Sequence, residues 1–291
     1  MKLPPFRVHR PASVSEASRM LTDLGEDAAA YCGGTELLLA MKLGLATYDH
    51  LVDLKRVPGL RGIQRSNGSI RIGAATTHHE FENSSQIRAE YPELAAAISE
   101  VANLRVRSVG TLGGNICFAD PHSDPAAFLT AIDAVLVCQL GDEMRQIPAA
   151  NFLAGPYETV LAPGELLVAI DLPARRDFTG LAHLRMKLTE RPVVTVTASV
   201  TLAKGAVSAA RVVIGSAAST PVIAVSAAQL LLGASAADVD DRADACAGEA
   251  AGCVTPTDGG EASPDYVAHL IRLHARRAVR RAFDIASTAA K

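Results

Sequence analysis

The 291 residues are 49% hydrophobic and 20% charged, and the formal net charge is −3. The chain therefore has no basic surplus for binding nucleic acid or an acidic membrane, and no apolar run reaches the roughly 18–20 residues that a membrane span needs. At about 100–200 residues per domain, the length favours two domains. We expect a cytoplasmic protein whose five scattered cysteines stay reduced. The cysteines lack a CxxC spacing, so we expect no iron–sulfur cluster or structural zinc in this chain.

The first part of the chain alternates helix and strand signals around a glycine turn. Ser13–Glu16 predicts a capping box ahead of a helix that Gly25 ends. A short buried strand over residues 28–32 then runs into Gly33-Gly34-Thr35, and a helix follows over residues 36–44. A glycine turn between a strand and a helix leaves main-chain N–H groups without acceptors in the helix, which suits a phosphate group.

The rest of the chain predicts two domains, residues 1–176 and 177–291. Before the boundary we expect a strand over 48–54, a hairpin around Ser66-Asn67-Gly68, helices over 93–102 and 126–132, a hairpin around Gly141-Asp142, and a strand over 166–172. After it we expect strands over 181–188, 193–203 and 207–214, then helices over 224–232, 237–252 and 265–287. The alternation in the three late strands predicts an antiparallel sheet with one wet face.

A second glycine-rich stretch, Gly110-Thr111-Leu112-Gly113-Gly114, dominates the middle of the chain, and Asp120–Pro125 (DPHSDP) follows it. Glycine lets main-chain N–H groups point into a ligand, and successive N–H groups in a loop form a hollow that binds anions. Two glycine–threonine loops in one chain predict the two sides of a clamp on a dinucleotide.

Three other clusters are less informative. We interpret His78-His79-Glu80 as an exposed loop or helix start rather than a metal site, because adjacent histidines point in different directions; Thr76–His78 could still reach a cofactor. His122 near Asp124 lacks a nucleophile elbow, so hydrolase chemistry is not expected. The arginines in the last helix, Arg272, Arg276, Arg277, Arg280 and Arg281, indicate a solvated or subunit-facing surface.

Taken in order, five segments resemble the FAD-binding medium subunit of the molybdenum hydroxylases, the xanthine dehydrogenase and carbon monoxide dehydrogenase family. They are Gly33–Leu38, Arg107–Asn115, Ala119–Asp124, Gly164–Val168 and Met186–Arg191. The resemblance implies an α+β fold. A PCMH-type FAD-binding domain of two α/β subdomains, like that of vanillyl-alcohol oxidase, would precede a C-terminal domain of antiparallel sheet plus helices. FAD would lie between the subdomains and the C-terminal domain.

The resemblance also implies a set of cofactor contacts, with no metal ligand and no acid–base catalyst in this chain. The contacts are Ala30, Tyr31, Cys32, Gly33, Gly34, Thr35, Glu36 and Leu37 around the diphosphate and part of the adenosine, Gly110, Thr111, Gly113, Gly114, Asn115 and Ile116 on the other side of the cofactor, Ser123 and Asp124 at ribose or ribityl hydroxyls, Val106 and Leu166 as apolar wall, and Lys187 near the flavin. Because the two loops hold few cations, main-chain N–H groups would do most of the diphosphate binding.

The implied function is electron transfer. A large molybdopterin-binding subunit would hydroxylate the substrate, a small [2Fe-2S] subunit would pass electrons to FAD on this chain, and an external acceptor would take them. The resemblance implies a dimer of heterotrimers. Two alternatives stay open at this point. The chain could be a self-contained FAD-dependent oxidoreductase of the same cofactor-binding fold, or a non-enzymatic assembly protein that has lost FAD.

Overall fold

The computed structural model describes residues 2–66, 68–255 and 262–289, and they divide into two compact units whose segments alternate along the chain. Unit 1 is formed by the described parts of Met1–Ala89, Ile98–Ala119 and Ala134–Pro173. Unit 2 is formed by the described parts of Glu90–Ala97, Asp120–Asp133 and Ala174–Lys291. A domain boundary after residue 176 stays a prediction.

The strands and helices are numbered here along the chain. The strands are β1 (Arg7–His9), β2 (Ala28–Tyr31), β3 (His50–Asp53), β4 (Ile63–Ser66), β5 (Ser69–Gly73), β6 (Val135–Leu140), β7 (Glu143–Pro148), β8 (Leu153–Gly155), β9 (Glu158–Thr159), β10 (Leu166–Leu172), β11 (Thr179–Lys187), β12 (Pro192–Ala203), β13 (Ala206–Gly215) and β14 (Val222–Ile223). The helices are α1 (Val14–Leu24), α2 (Leu37–Leu43), α3 (His78–Asn83), α4 (Ser85–Glu90), α5 (Pro92–Ser99), α6 (Leu104–Arg107), α7 (Leu112–Phe118), α8 (Asp124–Ala131), α9 (Val225–Gln229), α10 (Val239–Gly252) and α11 (Pro264–Ala289).

Unit 1 contains two main sheets. The first is a three-stranded parallel sheet in the order β1-β3-β2. The second is a five-stranded antiparallel sheet in the order β4-β5-β10-β6-β7. Both predicted hairpins are confirmed, because β4 pairs with β5 and β6 pairs with β7; Asn67 of the first turn lies outside the described residues. The predicted strand over residues 166–172 is confirmed as β10, whose apolar side chains fill the middle of the sheet.

Helix α1 begins where the sequence predicts. The Ser13 side chain accepts a hydrogen bond from the Glu16 amide at 3.1 Å, so the N-cap is confirmed. The reciprocal half of the predicted box is wrong, because the Glu16 carboxylate accepts from the Ala12 amide at 2.6 Å instead. The helix packs Ala17 and Leu21 into an apolar cluster with side chains of β3 and β10.

Unit 2 is built on a four-stranded antiparallel sheet in the order β11-β12-β13-β14. Alternate side chains of β12, among them Val194, Val196 and Ala198, are fully buried in a core shared with α10 and α11. The prediction that one face of the sheet is exposed to solvent is wrong for the first half of β12, because Thr195 and Thr197, on the opposite face from Val194 and Val196, are also 0% exposed. Helix α8 packs against β12 and β13 and covers them, a contact that strand periodicity alone does not reveal.

The C-terminal helices carry the basic run. Arg276 Nε lies 2.6 Å from Asp244 of α10, and Arg280 Nη1 lies 2.5 Å from Asp240. Arg272, Arg277 and Arg281 are exposed in this chain, which is consistent with the predicted solvated or subunit-facing surface. Among the residues that the structure describes, no helix has the length and apolar character needed to cross a membrane.

Candidate functional site

The first glycine bend follows β2 and leads into α2. Helix α2 begins at Leu37 after the N-cap Glu36, one residue later than predicted, and ends at Gly44 as predicted. At the start of α2 the Leu38 amide donates to Gly34 O at 3.0 Å and the Ala40 amide to Glu36 O at 2.8 Å. Gly34 has a φ of +70°, a left-handed value that favours glycine, and the Tyr31 ring occupies the space that a β-carbon on Gly34 would need. This bend therefore has the form expected of an anion-binding loop.

The second glycine bend differs from the predicted loop. Leu112–Phe118 is helical, and the hydroxyl of Thr111 caps the helix by accepting a hydrogen bond from the Gly114 amide at 3.1 Å. The Leu112 amide donates to Thr76 O and the Gly113 amide to Ala74 O, each at 3.0 Å. These first-turn amides are therefore already used within the protein.

Glycine at position 113 allows close packing. A β-carbon on Gly113 would lie 2.6 Å from the β-carbon of Ala74, which is closer than real β-carbons approach. The glycine thus lets the start of α7 lie directly against the end of β5. The glycine at position 113 is therefore needed for close packing of α7 on Ala74. It is not needed to donate an amide to a ligand, because the Gly113 amide already donates to Ala74 O.

The two bends meet inside unit 1. A β-carbon on Gly33 would overlap the carbonyl oxygen of Val109 and would lie 2.7 Å from the α-carbon of Gly110. The Thr35 hydroxyl lies 3.5 Å from the position that a β-carbon on Gly110 would take. The prediction that two glycine bends far apart in sequence converge is therefore confirmed.

A cavity of about 340 Å³, which we call the glycine pocket, opens beside this junction and is formed entirely by unit 1. Its volume lies within the range of about 300–1,000 Å³ that is typical of ligand sites. Many residues of the predicted cofactor set line it: Ala30, Cys32, Gly33, Gly34, Thr35, Glu36, Leu37, Val106, Thr111, Gly113, Gly114, Asn115 and Leu166. Two further residues of the set contact lining residues: Tyr31 packs beside Gly34, and Gly110 packs beside Gly33. Ile116 is buried, with 3% of its surface exposed.

One wall of the glycine pocket carries His78, which was expected in an exposed loop or at a helix start that could reach a cofactor. His78 begins α3, as a helix start was expected to, but it is 3% exposed and lines the pocket. Burial lowers the pKa of His78 to about 4, so the ring is uncharged at neutral pH. On the same helix, Glu82 forms an ion pair with Arg107 at 3.0 Å and accepts from His79 at 2.9 Å.

Two thiols also line the glycine pocket, Cys32 as predicted and Cys117, which was not foreseen. Burial, with a smaller contribution from the negative charge of Asp53, raises the pKa of Cys32 to about 11. Burial also raises the pKa of Cys117. Both thiols are therefore protonated at neutral pH, which suits a packing role.

Ser123, Asp124 and Lys187 of the predicted set belong to unit 2. Asp124 opens α8 and is 5% exposed. Its Oδ2 accepts a hydrogen bond from Arg185 Nη1 at 2.7 Å, and its Oδ1 lies 3.5 Å from His183 Nε2. Burial alone would raise the pKa of Asp124, but the hydrogen bonds and charges of His183 and Arg185 hold it below its usual value. We call these three residues the Asp124 cluster.

The remaining two residues, Ser123 and Lys187, belong to the same unit. Ser123 precedes α8 and is 8% exposed. Lys187 ends β11, where a register shift places it opposite Pro192 of β12. Sequence reasoning missed His183 and Arg185; the only signal was their spacing of two residues, which puts both side chains on one face of a strand.

The fold is of the α+β class: unit 1 contains a parallel sheet and an antiparallel sheet, and unit 2 contains an antiparallel sheet covered by helices. A glycine bend at the edge of the parallel sheet provides a site for a nucleotide-type cofactor. Residues 4–175 match the family model of the FAD binding domain in molybdopterin dehydrogenase, and residues 173–282 match the CO dehydrogenase flavoprotein C-terminal domain. The chain belongs to this FAD-binding oxidoreductase family, and the predicted family and fold class are confirmed.

Individual relatives agree with the family. The chain is 33% identical to the carbon monoxide dehydrogenase medium chain of Afipia carboxidovorans over 280 residues, 95% of this chain and 96% of that one. It is 39% identical to the medium chain of Hydrogenophaga pseudoflava over 184 residues, 63% of this chain and 64% of that one. Among solved structures, carbon monoxide dehydrogenase from Hydrogenophaga pseudoflava has a matching chain with a TM-score of 0.93 and 32% identity, covering 98% of this chain and 99% of that one.

The glycine pocket fits the FAD of this family. Gly33, Gly34 and Thr35 line the pocket, and main-chain N–H groups of such a bend suit phosphate oxygens. The absence of a β-carbon at Gly33 lets the two bends touch through their main chains. The lining is largely apolar on its other sides, with Val106, Leu166 and Leu167 among the contributors, as is usual for cofactor pockets. The predicted cofactor-binding residues as a set stay a prediction.

Proposed function

We propose that this chain is the FAD-carrying electron-transfer subunit of a heterotrimeric molybdenum hydroxylase. Electrons would come from a [2Fe-2S] subunit and leave to an external acceptor. The observation that carries the proposal is the junction of Gly33 with Gly110, which forms the glycine pocket from two bends of an FAD-binding family. Relatives named as medium chains of carbon monoxide dehydrogenase, at similar length, support the subunit role.

The residues of this chain would bind and orient the cofactor. The bend from Gly33 to Thr35 would hold the diphosphate through main-chain N–H groups, and Val106 and Leu166 would exclude water from the apolar side. Ser123 and Asp124 would contact sugar or ribityl hydroxyls, and Lys187 would supply a positive charge near the flavin. When bound, FAD supplies two-electron redox chemistry with one-electron steps toward iron–sulfur centres.

The partners in this proposal are a large molybdopterin-binding subunit and a small [2Fe-2S] subunit, assembled as a dimer of heterotrimers. The relatives' names as medium chains support a multisubunit complex. The substrate would be chosen by the large subunit, and the cytoplasmic location stays a prediction. The acceptor could be a pyridine nucleotide, a quinone or oxygen.

Two measurements test the proposal. The purified chain, reconstituted with FAD, should show a flavin spectrum with one FAD per chain, whereas a colourless product after reconstitution would overturn the flavoprotein role. The tagged chain, expressed with its neighbouring genes, should copurify with a molybdenum-containing chain and an iron–sulfur chain. Full turnover of a substrate by the chain alone would instead support a self-contained FAD-dependent oxidoreductase.

A further inference from the structure

His78 is a buried polar side chain that the predicted cofactor set does not include. It lines the glycine pocket and is 3% exposed. Its Nδ1 is buried and has no hydrogen-bond partner in the part of the chain that the structure describes. Buried polar atoms are nearly always paired, so an unpaired one beside a ligand pocket indicates a missing partner.

The imidazole lies at the junction of the two glycine bends. The His78 amide donates to Gly110 O at 2.9 Å, and the ring Cδ2 lies 3.4 Å from the position of a β-carbon on Gly110. The Thr35 hydroxyl lies 3.5 Å from that same position. The Cδ2 edge of the imidazole and the Thr35 hydroxyl therefore lie beside the point at which the bends meet, and the unpaired Nδ1 is on the other edge of the same ring. The proposed function puts the diphosphate beside this junction.

The two charged side chains that act on His78 have opposite signs. Glu82 of α3 and Arg107 at the end of α6 are the ionised groups that act on it, and they form an ion pair with each other. The uncharged imidazole carries one N–H donor and one acceptor nitrogen. A hydrogen bond from a neutral donor to an anionic phosphate is charge-assisted, so it is stronger than a bond between two neutral groups.

We propose that His78 is a cofactor-binding residue whose imidazole donates a hydrogen bond to the FAD diphosphate at the junction of the two glycine bends. The inference rests on the proposed function, because it takes FAD as the ligand. It gives the pocket a side-chain donor where the first-turn amides of α7 are already used by Thr76, Ala74 and Thr111.

The test compares FAD-free protein carrying His78→Leu, His78→Gln or, as control, His79→Gln. His79 is the adjacent histidine, and 48% of its side chain is exposed. Titration with FAD, followed by flavin fluorescence, should show a dissociation constant at least about tenfold higher for His78→Leu, the size expected for a lost charge-assisted bond. His78→Gln keeps a donor and should recover most of the affinity, and His79→Gln should match wild type.

A second measurement uses NMR. In wild-type protein with isotope-labelled histidine, the imidazole nitrogen resonances of His78 should shift on addition of FAD and those of His79 should stay. The phosphorus resonances of bound FAD should also differ between wild type and His78→Gln. Unchanged His78 resonances, or wild-type affinity in a folded His78→Leu protein, would overturn the inference and leave the proposed function standing. Failure of the wild-type chain to bind FAD would overturn the proposed function itself.

Discussion

The main chain of Gly33 rests directly on the carbonyl of Val109, with no room for a β-carbon between them. These two residues are far apart in sequence, yet their contact sets the distance between the two glycine bends. Because the contact is between main-chain atoms on the Val109 side, it cannot be relieved by turning a side chain. The width of the glycine pocket at this point is therefore fixed by the backbone.

Gly33→Ala should abolish FAD binding or weaken it by at least about a hundredfold. The new β-carbon would overlap Val109 O, so one bend must move; overpacking of this kind typically costs about 1–3 kcal/mol of stability as well. Flavin content after reconstitution and the thermal midpoint measure the two effects. Gly248→Ala in α10, where a β-carbon meets nothing within 4 Å, is the control and should leave both unchanged or raise the midpoint slightly. Wild-type FAD affinity in Gly33→Ala would contradict the prediction.

Asp124→Asn should destabilise the protein by about 3–5 kcal/mol, the usual effect of breaking a buried ion pair on one side. Asp124 is 5% exposed, and the substitution removes the carboxylate that accepts from Arg185 Nη1 at 2.7 Å. Denaturant unfolding at neutral pH measures the loss. Asp177→Asn is a matched control at an exposed aspartate and should change the free energy of unfolding by less than about 0.5 kcal/mol.

The difference between wild type and Asp124→Asn should depend on pH in one direction. The pKa of Asp124 is lower in the folded state than its unfolded value of about 3.9. Its charge therefore stabilises the fold above about pH 4, and the stabilisation is lost as the pH falls through the folded pKa. The two unfolding free energies should converge below pH 4, and a constant difference down to pH 2 would argue against the ion pair as its cause.

Cys32 should react slowly with an alkylating reagent, and bound FAD should slow the reaction further. With a pKa of about 11, only about one Cys32 in a thousand is a thiolate at pH 8, so its reaction with iodoacetamide should be at least about a hundredfold slower than that of free cysteine. FAD should slow it further because Cys32 lines the glycine pocket. Peptide mass spectrometry measures the rate, and Cys253, which is not a pocket residue, should react equally with and without FAD. Fast Cys32 labelling that FAD does not change would contradict the placement of FAD.

Lys187→Met should lower the reduction potential of bound FAD, because a positive charge near the flavin favours the anionic reduced form. Lys187→Arg keeps the charge and should hold the potential close to wild type. A spectroelectrochemical titration of the reconstituted chain measures both. An unchanged potential in Lys187→Met, with FAD bound, would remove the electrostatic role that the family resemblance assigns to this residue.

Local patterns predicted the elements whose shape depends on nearby residues. The apolar run from Leu166 to Leu172 predicted β10, and Gly44 predicted the end of α2, because burial of a central strand and a left-handed C-cap both leave local marks. The convergence of the two glycine bends followed from the family resemblance and from the need of a diphosphate for main-chain donors on two sides.

Long-range packing set the features that the sequence did not reveal. Helix α7 contains Gly113 and Gly114, residues of low helix propensity, yet the Thr111 cap and the contact with Ala74 stabilise it. His78 was expected in an exposed loop or at a helix start, whereas it is 3% exposed and its amide donates to Gly110 O. Arg185 donates a hydrogen bond to Asp124, which lies 61 residues earlier in the sequence, and no local sequence motif predicts this pair.

The alternation of the two units along the chain limits how the gene can be divided. A fragment ending at residue 176 would include Asp124 but lack Arg185 and His183, and the complementary fragment would carry the two basic side chains without their carboxylate. Each half would therefore lack one side of this buried ion pair. Splitting this flavoprotein for complementation or reporter assays should therefore work only when both halves are synthesised together and can reassemble.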